Sequence, residues 1–477
     1  MTIPSMSGHL SSARVGRGVG TLGSALLLAF LLLGPGARAV AAQPQAAEAP
    51  PPAASASAPD ATYLDENGSP LDPIAILQRK IDAGEVVLQH EDQRGYLESL
   101  LVALDIPISS QGLIFSRTSL QTNLITPWTP RAVYYNDDVY IGYVQDSPFL
   151  EIASIDPDDG GVFYTLQQDP DGKIEFTEEG TTCLMCHESR NVTEGIPGVM
   201  VRSILVDRFG YPIAPLHEGS TSDRTPFEER FAGWYVTGTH GDLSHAGNVH
   251  SPDLSHEVSD VRRYLQGFDM NAGGNVVDLE GRFDSEPYLT PHSDIVSLLV
   301  LTHQTKIHNL ITVAHEAARE AVGGPLMLNR IEAGAIPMPP IQSAMQVRIE
   351  GAVERMVRGM LFAREAPLPG PVRGTAGFAE DFEAVGPFDE QGRSLRQFDL
   401  EKRLFRYPMS FLIYSDAFEV LPSFVKQTFY QRVAQILDGQ DHTQEFAHLS
   451  EADRVAIREI LEATKPEFVE VTGLGTR

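Results

Sequence analysis

The chain runs to 477 residues with a formal net charge of −28 and only two cysteines. That balance argues against nucleic acid or anionic lipid as a partner and would steer a basic protein or a cationic substrate to the surface. The acids are spread out rather than run together, so a generally solvated acidic face, or a saline habitat, accounts for them equally well.

Taken in chain order, Arg14 and Arg17 precede an apolar run over residues 21–33, and small residues follow, with 37–39 and 39–41 both fitting an A-x-A cleavage site. This is the pattern of a secretory signal peptide over residues 1–42, short for a spanning helix; an uncleaved anchor is the alternative. There is no Arg-Arg pair and no cysteine near the cleavage site, so export of an unfolded chain without a lipid anchor is expected. Cleavage removes three arginines and no acid, moving the net charge to about −31. Residues 43–62 are rich in Ala, Pro and Ser and read as a disordered tether. The folded part is expected from Tyr63, leaving about 415 residues for a large core.

Helical apolar spacing predicts helices over 71–83 and 92–104. Residues 112–167 change character: GLIFS, RAVYY, VYIGYV, FLEIASI and GVFYTLQ are aromatic and β-branched, separated by Asn136-Asp137-Asp138, Asp146-Ser147-Pro148 and residues 156–161. That reads as an antiparallel meander of four or five strands. A short helix should follow, with Thr182 as its N-cap. Residues 195–257 are loop-rich and hold Trp234 with His217, His240, His245, His250 and His256. A long helix is predicted over 291–321 with Pro291 in its first turn, and a second over 341–365. After the Pro/Gly-rich stretch 366–377, helices are expected at 411–419, 422–438 and 450–464, the last opening on Ser450 and Asp453 as in a capping box. The fold class is therefore α+β: a mainly helical body with an N-terminal antiparallel β-meander.

Both cysteines fall in one run, Cys183-Leu184-Met185-Cys186-His187. C-x-x-C-H is the pattern for covalent attachment of haem c, the thiols forming thioethers and the histidine serving as proximal iron ligand. Thiols three positions apart lie one helical turn apart, which suits the two vinyl groups of one porphyrin. A thioredoxin-like pair is the first rival, but it does not need His187 and no clear βαβ pattern surrounds the motif. A zinc site lacks a second Cys pair, and a disulfide across two residues is uncommon. The chain then divides into 63–180 (helical entry plus meander), 181–365 (haem c-binding region with long helices) and 366–477 (C-terminal helical region).

The runs FYTLQQ, CLMCHESRNVTEGIPGVMVRS, PFEERFAGWYVTGTHGDLSHAGN, LTHQTKIHNLIT and YPMSFLIYSDAFEVLP resemble a group of large exported bacterial cytochrome c domain-containing proteins, over most of residues 113–464. The resemblance implies an exported location, one covalent haem held by Cys183, Cys186 and His187, and electron transfer, with no defined substrate.

The sixth coordination position decides what such an iron does. His240, flanked by Gly238 and Gly241, His245, and His303 within the long helix are the distal candidates, with His308 behind them; any single one is more often a hydrogen-bonded structural histidine than a ligand. His308 and His315 share a helix face. Met200 lies close in sequence, and Met345, Ile349, Val353, Met356 and Met360 form a helical stripe that reads as core rather than ligand. Arg202 and Arg190 are candidates to pair with propionates. Two functions follow. One is a periplasmic electron carrier working with a redox partner protein, basic if the acidic surface guides it. The other is a single-haem peroxidase or small-substrate oxidoreductase, since a small carrier needs only about a quarter of this length. A two-haem peroxidase would need a second C-x-x-C-H.

Overall fold

The computed structural model describes residues 71–249, 273–368 and 370–473. The expected signal peptide, the tether, the first residues of the folded part, His250 and His256 lie outside them.

Six strands, β1 (Gly112–Ile114), β2 (Arg131–Tyr135), β3 (Val139–Tyr143), β4 (Phe149–Asp156), β5 (Gly160–Gln167) and β6 (Phe176–Glu178), pair in chain order as one antiparallel sheet. Each of the five runs read from sequence becomes a strand. β6 is the addition, and its three residues are too few for an alternation to show. Local hydrogen bonds make the turns. Asn136 Oδ1 accepts from the N–H groups of Asp138 and Val139 at 3.1 and 2.9 Å, closing the β2–β3 hairpin. Asp156 Oδ1 accepts from Asp158 and Asp159, both at 2.8 Å, and Gly160 then takes φ +86°. A smaller hairpin pairs β7 (Ile204–Val206) with β8 (Pro212–Pro215).

Strand register sorts the side chains onto two faces. Tyr134, Ile141, Ile152 and Tyr164 stand opposite one another on one face; Tyr135, Tyr140, Ala153 and Phe163 do so on the other. The first face closes a core with α1 (Pro73–Asp82) and α2 (Leu97–Ala103) through Ile74, Leu77, Leu97 and Leu100. The second packs Tyr135, Tyr140 and Ile155 into a larger core that runs through the helical body. The sheet is thus a wall between two hydrophobic cores.

Among the described residues there are eleven α-helices: α1, α2, α3 (Thr181–His187), α4 (Ile295–Val322), α5 (Pro325–Glu332), α6 (Ser343–Met360), α7 (Phe378–Ala384), α8 (Asp416–Glu419), α9 (Ser423–Leu437), α10 (Glu451–Thr464) and α11 (Pro466–Thr472). α4 is the axis of the body. It begins four residues later than expected because Asp294, not Pro291, caps it: Asp294 Oδ1 accepts from Val296 N–H at 2.8 Å and Ser297 N–H at 3.3 Å. Oδ2 of the same buried carboxylate accepts from Thr375 and Ala376, tying the start of α4 to the segment before α7. α6 crosses α4 closely, since a Cβ at Gly359 would come within 3 Å of Ile307 and Leu310. Of the expected stripe, Ile349, Val353, Met356 and Met360 are buried in this contact, while Met345, a turn nearer the start of α6, is only half-buried and lies outside the core. Ser450 and Asp453 form the capping box of α10. Helices α5, α7 and α11, seven or eight residues each, were not legible from periodicity. Phe405, Phe411, Phe418, Phe429 and Phe468 share the core of α4, so no core boundary falls at residue 366.

Candidate functional site

The Cys-x-x-Cys-His run forms α3, directly after β6. Gly180 stands at the cap position and Thr182 lies inside the helix, so the expected threonine cap is replaced by an uncapped start. No residue of α3 is buried, and Met185 is 75% exposed. The helix therefore gains none of the about 1.5–3 kcal/mol that each fully buried apolar side chain gives α4. Its two ends hold it instead. Ahead of it, Glu179 N–H donates to Phe163 O at 2.7 Å and Thr165 Oγ1 to Glu179 Oε1 at 3.1 Å, both partners on β5. Behind it, Gly198 N–H donates to His187 O at 2.9 Å, and His187 Nδ1 lies 2.8 Å from Gly198 O.

A carbonyl can only accept, so Nδ1 of His187 carries the proton and Nε2 keeps its lone pair. Among the described residues Nε2 has no hydrogen-bond partner. Burial lowers the His187 pKa and favours the neutral ring, although the Gly198 bond works the other way. The ring leans on Phe163 at 4.5 Å between centroids.

Gly198 holds this position because the Asn309 side chain crowds it from one side and the Gly161 backbone from another. A Cβ there would fall 2.3 Å from Asn309 Oδ1 on α4, and a Cβ at Gly161 would lie 3.1 Å from Gly198 Cα. Gly161 N–H donates to Pro197 O at 3.0 Å. Asn309 grips the next residue twice, accepting from Val199 N–H at 3.1 Å and donating to Val199 O at 2.8 Å. The central helix and β5 together aim the carbonyl that orients His187.

Neither cysteine is in a disulfide. Burial, then Glu179 and Glu151, push the Cys183 thiol up to about 11. A thioredoxin-like pair requires the opposite shift, toward a thiolate near neutral pH. The Arg131–Glu151 ion pair, Nη1 to Oε2 at 2.8 Å, acts electrostatically on His187. Arg131 Nε and Glu151 Oε1 are buried without partners. Sequence reading missed Arg131, Glu151, Phe163 and Gly198. Glu151 shares a sheet face with Ala153 and Phe163, but that face is fixed by strand pairing, which the sequence does not announce.

The other candidates lie elsewhere. Arg202 borders His217, its Nε buried and unpartnered, its carbonyl accepting from Trp234 Nε1 at 2.9 Å. Asn275 N–H donates to His240 Nε2 at 3.0 Å, leaving Nδ1 buried and unpartnered. Gly247 N–H donates to His245 Nδ1 at 3.0 Å, and the His240 and His245 rings meet edge to face at 4.8 Å. Burial, then the neighbouring His240, bring His245 down to about 3. His303 is fully buried, with Nε2 2.9 Å from Ser410 Oγ and its ring stacked on Phe362 at 4.2 Å. His308 Nε2 donates to Asp137 O at 2.7 Å. Among the described residues none of these histidines has a hydrogen bond, ion pair or ring contact with His187, and no group of three His, Cys, Asp or Glu is placed to hold a bare metal ion. Arg190 lines a charged cleft of about 560 Å³ between the segment after α3 and helices α4 and α6. Among the described residues no helix is long and apolar enough to cross a membrane. Compared with known proteins, the chain matches no family model, no curated protein and no solved structure.

Proposed function

We propose that this chain is an exported single-haem c-type cytochrome that passes electrons between a redox enzyme and a partner protein. The observation that carries the reading is the orientation of His187: its Nδ1–H is held by the Gly198 carbonyl while Nε2 stays unengaged beside two free thiols. A proximal histidine needs this arrangement, because the hydrogen bond on one nitrogen sets the tautomer and the basicity of the other. Cys183 and Cys186 would form the thioethers and His187 the axial bond. When bound, the haem supplies a one-electron iron couple. Arg131, with a buried and unpartnered Nε, is better placed than Arg202 to act on that site electrostatically. The resemblance to exported cytochrome c domain-containing proteins points the same way, and the acidic surface suits a basic partner.

One observation favours the second reading, a single-haem peroxidase or small-substrate oxidoreductase: His240, His245 and His303 are all engaged with protein groups away from His187. The test is expression with haem-attachment machinery, followed by a pyridine haemochrome assay and optical and EPR spectra. One covalent haem per chain, lost with the native spectrum in His187→Ala, is expected; an unchanged spectrum in that variant would refute the assignment. Low-spin iron in both redox states supports the carrier. High-spin iron that binds carbon monoxide or cyanide, with turnover of hydrogen peroxide, supports the enzyme.

A further inference from the structure

Away from α3, a cleft of about 690 Å³ opens where α2, the β2–β3 turn, α4 and α7 meet. Its charge is one-sided. Asp105, Asp137, Asp138 and Asp381 line it, and its arginine, Arg396, is already committed: it pairs with Asp137 and lies over the rings of Phe382 and Phe411 at 4.7 and 4.4 Å.

Acidic residues alone do not make a site; the floor of the cleft supplies the independent sign. Gln304 is fully buried, and its Nε2 donates to Asn136 O at 2.7 Å, Asp137 O at 3.0 Å and the Tyr140 hydroxyl at 2.9 Å. Two carbonyl acceptors fix the amide orientation, so Oε1 must be the atom left over. That oxygen is buried and has no partner, and Oδ1 of Asp138 is in the same state. Gln304 Oε1 is an acceptor, Asp138 Oδ1 is one whenever its carboxyl is ionised, and leaving each unmatched is costly. Burial, then the charges of Asp137 and Asp416, push the Asp138 carboxyl up; a cation beside it would reverse that. An occupant therefore has to bring N–H donors and positive charge.

The mouth asks for the opposite. Val102, Ile108 and Val385 stand at the opening with 82%, 48% and 66% of their surface exposed, and Phe378 and Phe382 line the wall. Exposed apolar side chains around a polar floor fit an amphiphile. We propose that this cleft binds a small organic ammonium ion, its head on Gln304, Asp138 and Asp381 and its apolar part against α7 and the rim. Phenylalanine rings in the wall suit a cation as well.

Calorimetry on the full haem-loaded chain, with the Soret band followed so that ligation to iron is seen separately, tests this with phenethylammonium against its neutral counterpart 2-phenylethanol. The amine is expected to bind at least tenfold more tightly than the alcohol without moving the Soret band. Asp381→Asn, which keeps an oxygen to accept from the buried Ser109 hydroxyl, and Asp138→Asn should each weaken the amine several-fold and leave the alcohol unchanged. Equal affinity for amine and alcohol would show only a greasy groove and overturn the proposal. Binding of neither would mean that water satisfies the orphaned acceptors, and full amine affinity in both variants would place the amine elsewhere; either result also overturns it.

Discussion

His187 and His303 sit on helices that treat a histidine in opposite ways. α3 buries nothing and leaves Nε2 of His187 unengaged; α4 buries most of its length and closes His303 between Ser410 and Phe362. Each ring touches a phenylalanine, Phe163 for His187 and Phe362 for His303, so an aromatic neighbour does not separate the proposed ligand from a structural histidine. What separates them is where the spare nitrogen lies: Nδ1 of His303, like that of His240 and His308, is buried without a hydrogen bond, whereas Nε2 of His187 is not among the buried unpartnered atoms.

The largest effect that would break the comparison comes from exchanging the roles. His187→Ala should abolish the native haem spectrum with little loss of fold stability. His303→Ala should retain the haem but destabilise the fold by about 2–4 kcal/mol, through a buried void and an unmatched Ser410 hydroxyl. Haemochrome content and thermal melts read both. Loss of the spectrum in a well-folded His303 variant would make it an iron ligand and end the distinction.

Next comes the device that aims His187. Gly198→Ala pushes a methyl into Asn309, and we expect a cost of about 1–3 kcal/mol together with a shifted haem potential. Asn309→Ala removes two bonds to Val199 and should cost about 2 kcal/mol with a shift of the same kind. Potentiometry separates this positioning role from general packing, since a core variant far from α3 should lower stability and leave the potential alone.

Protonation sharpens the contrast further. Burial, which outweighs the bond to Asp137, brings His308 down to about 4, and His245 stands at about 3. Between those values and 6.5 the unfolded chain binds more protons at these rings, so stability falls on acidification, by up to about 1.4 kcal/mol per pH unit for each. Asp156 and Glu365, each pushed up to about 7 by burial, act the other way: the folded chain binds more protons between about 4 and 7, so they add stability as pH falls through that window. The two pairs oppose each other in the wild type. With Asp156→Asn and Glu365→Gln combined, melts from pH 7 to 4.5 should fall more steeply than wild type; an unchanged slope would mean that burial does not hold these two carboxyls protonated.

The smallest effect concerns the start of α3. Thr182 lies inside the helix rather than at its cap, so Thr182→Ala should change stability by no more than about 0.5 kcal/mol. A loss of about 1 kcal/mol in chemical denaturation, the ordinary cost of a missing cap, would restore it to the cap position.

Local chemistry was legible in the chain from the start. C-x-x-C-H depends on one helical turn, five of the strands on aromatic and β-branched runs set between turn residues, and the start of α10 on Ser450 and Asp453 three positions apart. Each of these signals lies within a few residues of its effect. The partner of His187 does not announce itself in that way. Gly198 looks like any loop glycine until β5 and α4 press on it, and Arg131 and Glu151 become neighbours only through strand pairing. His240, His245 and His303 read as ligands because a histidine's sequence does not say which ring nitrogen will be occupied. That is decided by contacts over long sequence separations, such as the 107 residues between His303 and Ser410, and only tertiary packing brings such groups together.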